Sequence, residues 1–256
     1  QGVRSHSRLR KVKIHLRERE LCKAIYDGRD RRVQQLLDDA PQAMHLISDE
    51  NLLRSTSHVT GPDIYMDRML ELRQLAGHFG HHDLTVIFYL RDYARWIESL
   101  YSKVAYEKLR THGVAPSFEE FIAQRGFDPA KTSWVPFVAA MRCLFPFARI
   151  DICGHQASKD KEEHARRFFR LAGIEEPSTI YIPKFDNKSF SREVIEAARN
   201  TTLPDTPDER AAMMAEMKSG SHVSERYFSE QVARVSEERY ARHLEEIAAI
   251  RGVEVG

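Results

Sequence analysis

The sequence has neither a surplus of charge of one sign nor a long hydrophobic run. Its 256 residues include 39 Lys and Arg against 38 Asp and Glu, which gives a formal net charge of +1. No apolar run approaches the roughly 18 residues that a bilayer-spanning helix needs. These absences argue against a protein that coats nucleic acid and against one that binds membranes through a large charged or apolar surface. We therefore expect no nucleic-acid partner and no membrane span, and any anion site must be local.

Cysteine is also scarce. The three cysteines, Cys22, Cys143 and Cys153, cannot all pair within one chain. An odd and sparse set is typical of reduced thiols in a cytosolic or bacterial setting. The sequence therefore predicts a cytoplasmic protein, and we expect a bacterial origin.

A metal site is not expected either. His78, His81 and His82 have spacings that suit one face of a helix, but Gly77 and Gly80 interrupt a helix there and no cysteine lies nearby. We interpret this segment as a solvated connection before a strand.

Strand and helix patterns alternate along the chain and predict an α/β fold. The run Leu84–Leu90 is almost continuously apolar and rich in β-branched and aromatic residues, which is typical of a central parallel strand covered on both faces. Residues 148–153 and the short apolar run 44–48 are the other strand candidates. Helical patterns cover about 12–27, 30–39, 63–76 with Gly77 as the C-terminal cap, 93–109, a helix opened by the capping box of Ser117 and Glu120, 133–144, 158–173, 192–200, 207–218 and 224–250. We expect one domain, with a central parallel sheet flanked by helices and a helical C-terminal part.

The residues that follow the strands are the first candidates for a ligand site, because ligands bind beyond the carboxyl ends of the strands in an open parallel sheet. Arg91 follows the run Leu84–Leu90 and precedes a helix, so its guanidinium would lie at the sheet edge near a helix N-terminus, where an anion is favoured. Ser99 lies eight residues, or about two helical turns, further on and could donate its hydroxyl to the same phosphate, and Arg95 shares its helix face. The alternative is an Arg91–Asp92 helix start with a small serine for close packing.

The segment Val86–Tyr101 resembles the 3′-phosphate-binding segment of sulfotransferases that use 3′-phosphoadenosine 5′-phosphosulfate (PAPS). In that family an apolar strand ends in Leu-Arg-Asp or a variant, a serine follows eight residues after the arginine, and an aromatic residue usually stands two positions later. Arg91, Ser99 and Tyr101 match this spacing. The resemblance implies that Arg91 and Ser99 grip the 3′-phosphate of PAPS and of its product, 3′-phosphoadenosine 5′-phosphate (PAP), and that no metal takes part.

Other segments, which follow the family's order, extend the resemblance over about residues 40–200 and imply a P-loop-type three-layer fold. They are a Ser-x-Glu segment at Ser48–Glu50, a Ser-Phe-Glu-x-Phe helix start at Ser117–Phe121, Trp134 with the later strand at 148–152, and a loop similar to Asn-x-Ser-Leu-Ser at Asn187–Ser191. Asn187, Lys188 and Ser189 would close over the nucleotide. The alternative is an ordinary helix entry with Ser189 or Ser191 as the N-cap.

One part of the family's pattern is missing from residues 1–256. The family binds the 5′-phosphosulfate with a Lys-Thr-Gly-Thr-Thr-like turn before its first helix, whereas this sequence has only Lys131-Thr132-Ser133, which follows another segment and lacks the glycine. Because residue 1 is Gln rather than Met, we expect the N-terminal strand and this turn to stand upstream of the sequence. The other interpretation is a degenerate member that keeps nucleotide binding and has lost catalysis.

The resemblance implies sulfuryl transfer from PAPS to a hydroxyl of a carbohydrate or a glycolipid. Such a transfer needs positive charge and N–H donors around the sulfate oxygens and a general base for the acceptor proton. Glu50, which follows the apolar run 44–48, is the first candidate for the base and Asp49 the second; alternatively either carboxylate caps the next turn.

Two other functions stay open. One is a P-loop kinase, for which no Walker lysine loop and no acidic Mg²⁺ ligand is visible in the sequence. The other is a non-catalytic nucleotide-binding or assembly module. For the helix at 224–250, packing on the domain is the first interpretation and a homodimer contact the second.

Overall fold

The computed structural model describes residues 12–16, 44–48, 60–62, 64–80, 82–154, 161–176, 190–219 and 226–256. In chain order they form β1 (Val12–Leu16), β2 (Met44–Ser48), a short 3-10 helix (Met66–Arg68), α1 (Met69–Phe79), β3 (Thr85–Leu90), α2 (Tyr93–His112), α3 (Phe118–Arg125), α4 (Val135–Leu144), β4 (Arg149–Gly154), α5 (Lys161–Leu171), α6 (Arg192–Arg199), α7 (Pro207–Ser219), α8 (Glu230–Ala248) and β5 (Val253–Val255). The described part of the chain is therefore mixed α/β, with helices flanking a small parallel sheet, as the sequence predicts. None of its helices combines the length and the apolar composition that a membrane crossing needs.

The main sheet has three parallel strands in the order β3-β4-β5. Leu90 pairs with Gly154, so β3 and β4 end together at one edge of the sheet. β1 and β2 pair in parallel in a separate two-stranded sheet, with Val12 opposite Met44.

The described sheet has β4, not β3, in the middle. The four residues from Ile150 to Cys153 of β4 are all buried, whereas Leu90 is the one fully covered residue of β3. The prediction that Leu84–Leu90 is the central strand is therefore wrong for this sheet. An apolar run indicates that its side chains are covered, but it carries no information on which strands lie beside it.

The start of the predicted helix at 12–27 is wrong, because residues 12–16 form β1. Val12, Ile14 and Leu16 alternate with polar residues in the period of two that a strand requires, and two of the three apolar residues are β-branched. The remainder of that helix and the predicted helix at 30–39 lie outside the described residues.

The bounds of three other helices also differ from the prediction. α1 begins at Met69 rather than at 63, and α2 extends to His112 rather than to 109. α1 continues through Gly77 to Phe79, and the cap is Gly80, whose N–H donates to the Ala76 carbonyl. α8 begins at Glu230 rather than near 224, because the Ser229 hydroxyl accepts a hydrogen bond from the N–H of Val232 and so fixes the first turn. The three-residue strand β5 was not predicted, since a run this short has no readable period.

The core is built around α2, whose residues Tyr93, Ile97, Tyr101, Ala105 and Leu109 are buried along most of its length. α6, α7 and α8 all pack against this helix. The predicted capping box at the start of α3 is confirmed.

An aromatic cluster lies at the end of β3, with ring centroids 5.4–6.4 Å apart. Its members are Tyr65, Phe88, Trp96, Trp134 and Phe137. This packing gives the end of β3 a rigid surround.

Candidate functional site

Arg91 lies between the last residue of β3 and the first turn of α2. Asp92 is the N-cap of α2, and its Oδ1 accepts a hydrogen bond from the N–H of Arg95 at 3.2 Å. The apolar strand, the capping Asp and the amphipathic helix thus determine the local fold and place Arg91 at the carboxyl edge of the sheet. This is the position that the sequence predicts.

The structure brings Arg91 and Ser99 together. The Arg91 Nη1 atom lies 3.5 Å from Ser99 Oγ, across two turns of α2, and both residues are half-buried. Burial lowers the pKa of the Arg91 guanidinium, and the neighbouring Asp92 charge partly offsets this effect. An arginine stays charged under these conditions, so the pair presents a cation and a hydroxyl donor side by side. Such a pair can donate hydrogen bonds to one phosphate or sulfate group.

Arg95 has a different set of partners. Its Nε lies 3.3 Å from Asp92 Oδ2 and its Nη2 lies 3.3 Å from Glu237 Oε1 on α8. The side chain is 54% exposed, so these ion pairs are worth little in stability, on the order of 0–1 kcal/mol each. Arg95 thus joins α2 to α8, and its charge is shared with two carboxylates.

Two aromatic side chains hold the main chain on either side of the strand end. The indole Nε1 of Trp134 donates to the Arg91 carbonyl at 2.8 Å, and the Tyr240 hydroxyl donates to the Leu90 carbonyl at 3.1 Å. Trp134 is buried and Tyr240 half-buried. Buried indole and phenol donors need a partner, which is the one signal that could have drawn attention to these residues in the sequence. From the sequence alone, Tyr240 is one residue of the helix at 224–250, for which packing on the domain is the first interpretation.

A buried Tyr–His pair lies directly behind the strand end. The Tyr93 hydroxyl is 2.6 Å from His243 Nδ1, and Ser133 Oγ lies 3.4 Å from the same nitrogen. Burial raises the pKa of Tyr93 to about 12 and lowers the pKa of His243, so both side chains are neutral near pH 7. The N–H of Trp134 donates to the Tyr93 oxygen at 3.4 Å, which leaves the hydroxyl proton for His243. No sequence pattern indicated this pair, because its members are 150 residues apart.

Glu98, the residue before Ser99, fixes the segment that leads into α8. Its Oε1 accepts from the N–H groups of Tyr227 and Phe228 at 3.0 Å each, and its Oε2 accepts from Arg226 Nε at 3.4 Å. Residues 226–228 are therefore held against the turn of α2 that carries Ser99.

The sole Lys-Thr pair of the sequence is part of an ordinary turn before α4. Thr132 Oγ1 donates to the Asp128 carbonyl at 2.7 Å, and Lys131 Nζ lies 3.3 Å from Asp128 Oδ2. The polar groups of this turn bond to one another. This hydrogen-bonding pattern is not that of an anion-binding loop.

The remaining predicted site residues lie outside the described residues: Asp49, Glu50, Asn187, Lys188 and Ser189. β2 ends at Ser48, so the strand predicted to precede Asp49 and Glu50 is present. Within the described ranges, no three or more His, Cys, Asp and Glu side chains form a cluster that could hold a metal ion. The segment His78–His82 is helical up to Phe79, not an open connection throughout.

Comparison with known proteins gave no match to a family model, to a curated protein or to a solved structure.

Proposed function

We propose that this chain is a PAPS-dependent sulfotransferase domain with a P-loop-type three-layer fold, in which Arg91 and Ser99 bind the 3′-phosphate. The observation that carries the proposal is the 3.5 Å approach of the Arg91 guanidinium to the Ser99 hydroxyl at the end of β3. The guanidinium donates to the hydroxyl oxygen, and the serine hydroxyl keeps its own proton for a further acceptor. An anion that binds both groups would accept from each of them with full negative charge, and charge-assisted hydrogen bonds are about twice as strong as neutral ones.

The surroundings of Arg91 support an anion of this kind. The Asp92 carboxylate is occupied by the N–H of Arg95, the Arg95 guanidinium and the Ser236 hydroxyl, so its charge is dispersed over three donors. The N-terminal turn of α2 adds a partial positive charge at the same edge of the sheet. A 3′-phosphate distinguishes PAPS and PAP from common adenine nucleotides, and a charged bidentate donor suits that group.

In the proposed reaction the acceptor hydroxyl oxygen attacks the sulfur atom of PAPS. The bond from sulfur to the bridging phosphate oxygen breaks, and PAP leaves with that oxygen. The acceptor proton passes to a carboxylate, with Glu50 as the first candidate and Asp49 as the second. The acceptor is a hydroxyl of a carbohydrate or glycolipid, and Asn187, Lys188 and Ser189 cover the nucleotide. These roles follow from the resemblance of the segments.

Isothermal titration of the chain with PAP and with AMP tests the proposal, because AMP lacks the 3′-phosphate. Arg91→Ala should weaken PAP binding by about 2–4 kcal/mol and Ser99→Ala by about 1 kcal/mol, while AMP binding changes little. Arg110→Ala is the matched control: it removes an arginine of the same helix that pairs with Glu107 at 2.8 Å, far from the strand end. Equal PAP affinity in wild type and a folded Arg91→Ala variant would overturn the assignment, and tighter binding of ATP with Mg²⁺ than of PAP would favour a kinase.

A further inference from the structure

One face of α8 contacts the turn between β3 and α2, which we call the β3–α2 turn (Leu90–Ala94). Ser236, Tyr240 and His243 follow one another at spacings of four and three and so share this face. Their contacts are Ser236 Oγ with Ala94 N at 2.9 Å, Tyr240 Oη with Leu90 O at 3.1 Å, and His243 Nδ1 with Tyr93 Oη at 2.6 Å. The helix thus holds residues on both sides of Arg91.

Tyr240 is the member of this face nearest to the carboxyl edge of the sheet. Its hydroxyl bonds to the last residue of β3, and a Cβ atom added to Gly154, the last residue of β4, would lie 3.5 Å from the same oxygen. The ring packs edge-on against Tyr93, with centroids 5.9 Å apart. Burial raises the pKa of the phenol, so Tyr240 remains a hydrogen-bond donor throughout the neutral pH range.

We propose that Tyr240 is a positioning residue for Arg91: by fixing the Leu90 carbonyl it sets the direction in which the Arg91 guanidinium leaves the sheet edge. This inference rests on the proposed function in one respect, that the guanidinium binds the 3′-phosphate. Tyr240 itself does not touch the nucleotide.

The length of the arginine side chain makes its position sensitive to the peptide before it. A rotation of about 10° at the Leu90–Arg91 peptide moves a group about 6 Å away by about 1 Å, and an error of that size weakens a geometry-dependent contact severely. The Arg91 carbonyl is bonded separately by Trp134, so the Tyr240 bond acts on the other carbonyl that flanks the Arg91 backbone, that of Leu90.

Tyr240→Phe tests this role, because it removes one hydroxyl and keeps the ring. Tyr101→Phe is the matched control: it keeps the aromatic ring that matches the family's spacing and removes only a buried hydroxyl, which donates to the Pro116 carbonyl at 3.0 Å. Both variants should unfold at slightly lower temperature, by similar amounts. Tyr240→Phe should weaken PAP binding by about 3- to 10-fold while AMP binding stays within about twofold, and Tyr101→Phe should change neither affinity beyond about twofold.

A second measurement follows the arginine without any nucleotide. The Nε–H signal of Arg91 in a ¹H–¹⁵N spectrum is identified by its loss in Arg91→Lys, and we expect it to shift in Tyr240→Phe and not in Tyr101→Phe. If wild type does not prefer PAP to AMP, the proposed function fails, and this signal alone decides the positioning role. An unshifted signal, or an equal loss of PAP affinity in the two Tyr→Phe variants, overturns the inference.

Discussion

Replacement of Trp134 by Phe should cost more stability than an ordinary change of aromatic size. Trp134 is 2% exposed, and its Nε1 is 2.8 Å from the Arg91 carbonyl. Phe keeps an aromatic ring against Tyr65 and Trp96, whose centroids lie 5.9 Å and 5.5 Å away, but it has no N–H to donate.

The magnitude has two parts. Leaving a buried carbonyl without its donor costs about 1–3 kcal/mol. Removing about three ring atoms from a packed site costs a further ~1–2 kcal/mol in lost transfer energy and cavity formation. We therefore expect the free energy of unfolding to fall by roughly 2–5 kcal/mol.

Trp96→Phe supplies the comparison that isolates the hydrogen bond. Trp96 is 9% exposed and packs in the same cluster, and within the described part of the chain its indole nitrogen makes no hydrogen bond. The chain has two tryptophans, so each variant keeps one fluorescent reporter. Urea unfolding with linear extrapolation should give a loss about 1–3 kcal/mol larger for Trp134→Phe than for Trp96→Phe. Equal losses would show that the indole bond does not hold the Arg91 carbonyl.

Further predictions concern two glycines and one histidine. Gly77→Ala should raise the free energy of unfolding by about 0.5–1 kcal/mol, because Gly77 lies inside α1 and a Cβ atom there meets nothing within 4 Å; urea unfolding that shows a loss would contradict the helical environment. Gly113→Ala should lower it by about 1–2 kcal/mol in the same assay, because Gly113 caps α2 at φ +74° with Arg210 3.4 Å from an added Cβ. The lowered pKa of His243 means that the folded state favours the neutral ring. The neutral ring therefore contributes fully to the free energy of unfolding above the ordinary pKa of about 6.5, and this contribution is lost as the pH falls from there toward the folded pKa. Thermal unfolding from pH 8 to pH 5 should therefore show a steeper acid loss for wild type than for His243→Asn, which keeps an acceptor for Tyr93 but cannot titrate; parallel curves would exclude His243 as the cause.

Local sequence signals were sufficient for the strand-to-helix unit that carries Arg91. The apolar run, the capping Asp92 and the eight-residue spacing to Ser99 all act within a few residues of one another, and the structure has the strand, the cap and the 3.5 Å approach. The period-two alternation at residues 12–16 also indicates the strand that forms there, but the basic and partly amphipathic sequence around it led to the prediction of a helix.

What the sequence could not reveal depends on partners from distant parts of the chain. Arg95 shares a helix face with Ser99, yet Glu237 and Asp92 determine where its guanidinium lies. Tyr240 has the spacing of a packing residue, and only the fold shows that its hydroxyl meets Leu90. Strand order also depends on distant parts of the chain, since nothing in residues 84–90 indicates which strand will lie beside them.

The contacts between α8 and the β3–α2 turn have a consequence for biosynthesis. Tyr93 and His243 are 150 residues apart, so at a translation rate of about 5–20 residues per second the ribosome needs about 8–30 s to add the second after the first. For most of that interval the nascent chain contains β3 and α2 but lacks Tyr240, which donates to the Leu90 carbonyl, and His243, which accepts from the Tyr93 hydroxyl. Arg91 follows the first-synthesised strand of the three-stranded sheet, yet its flanking residues gain their contacts with α8 only after that helix has been made. A transcript truncated before α8 would encode every local signal of this segment without the helix that holds it.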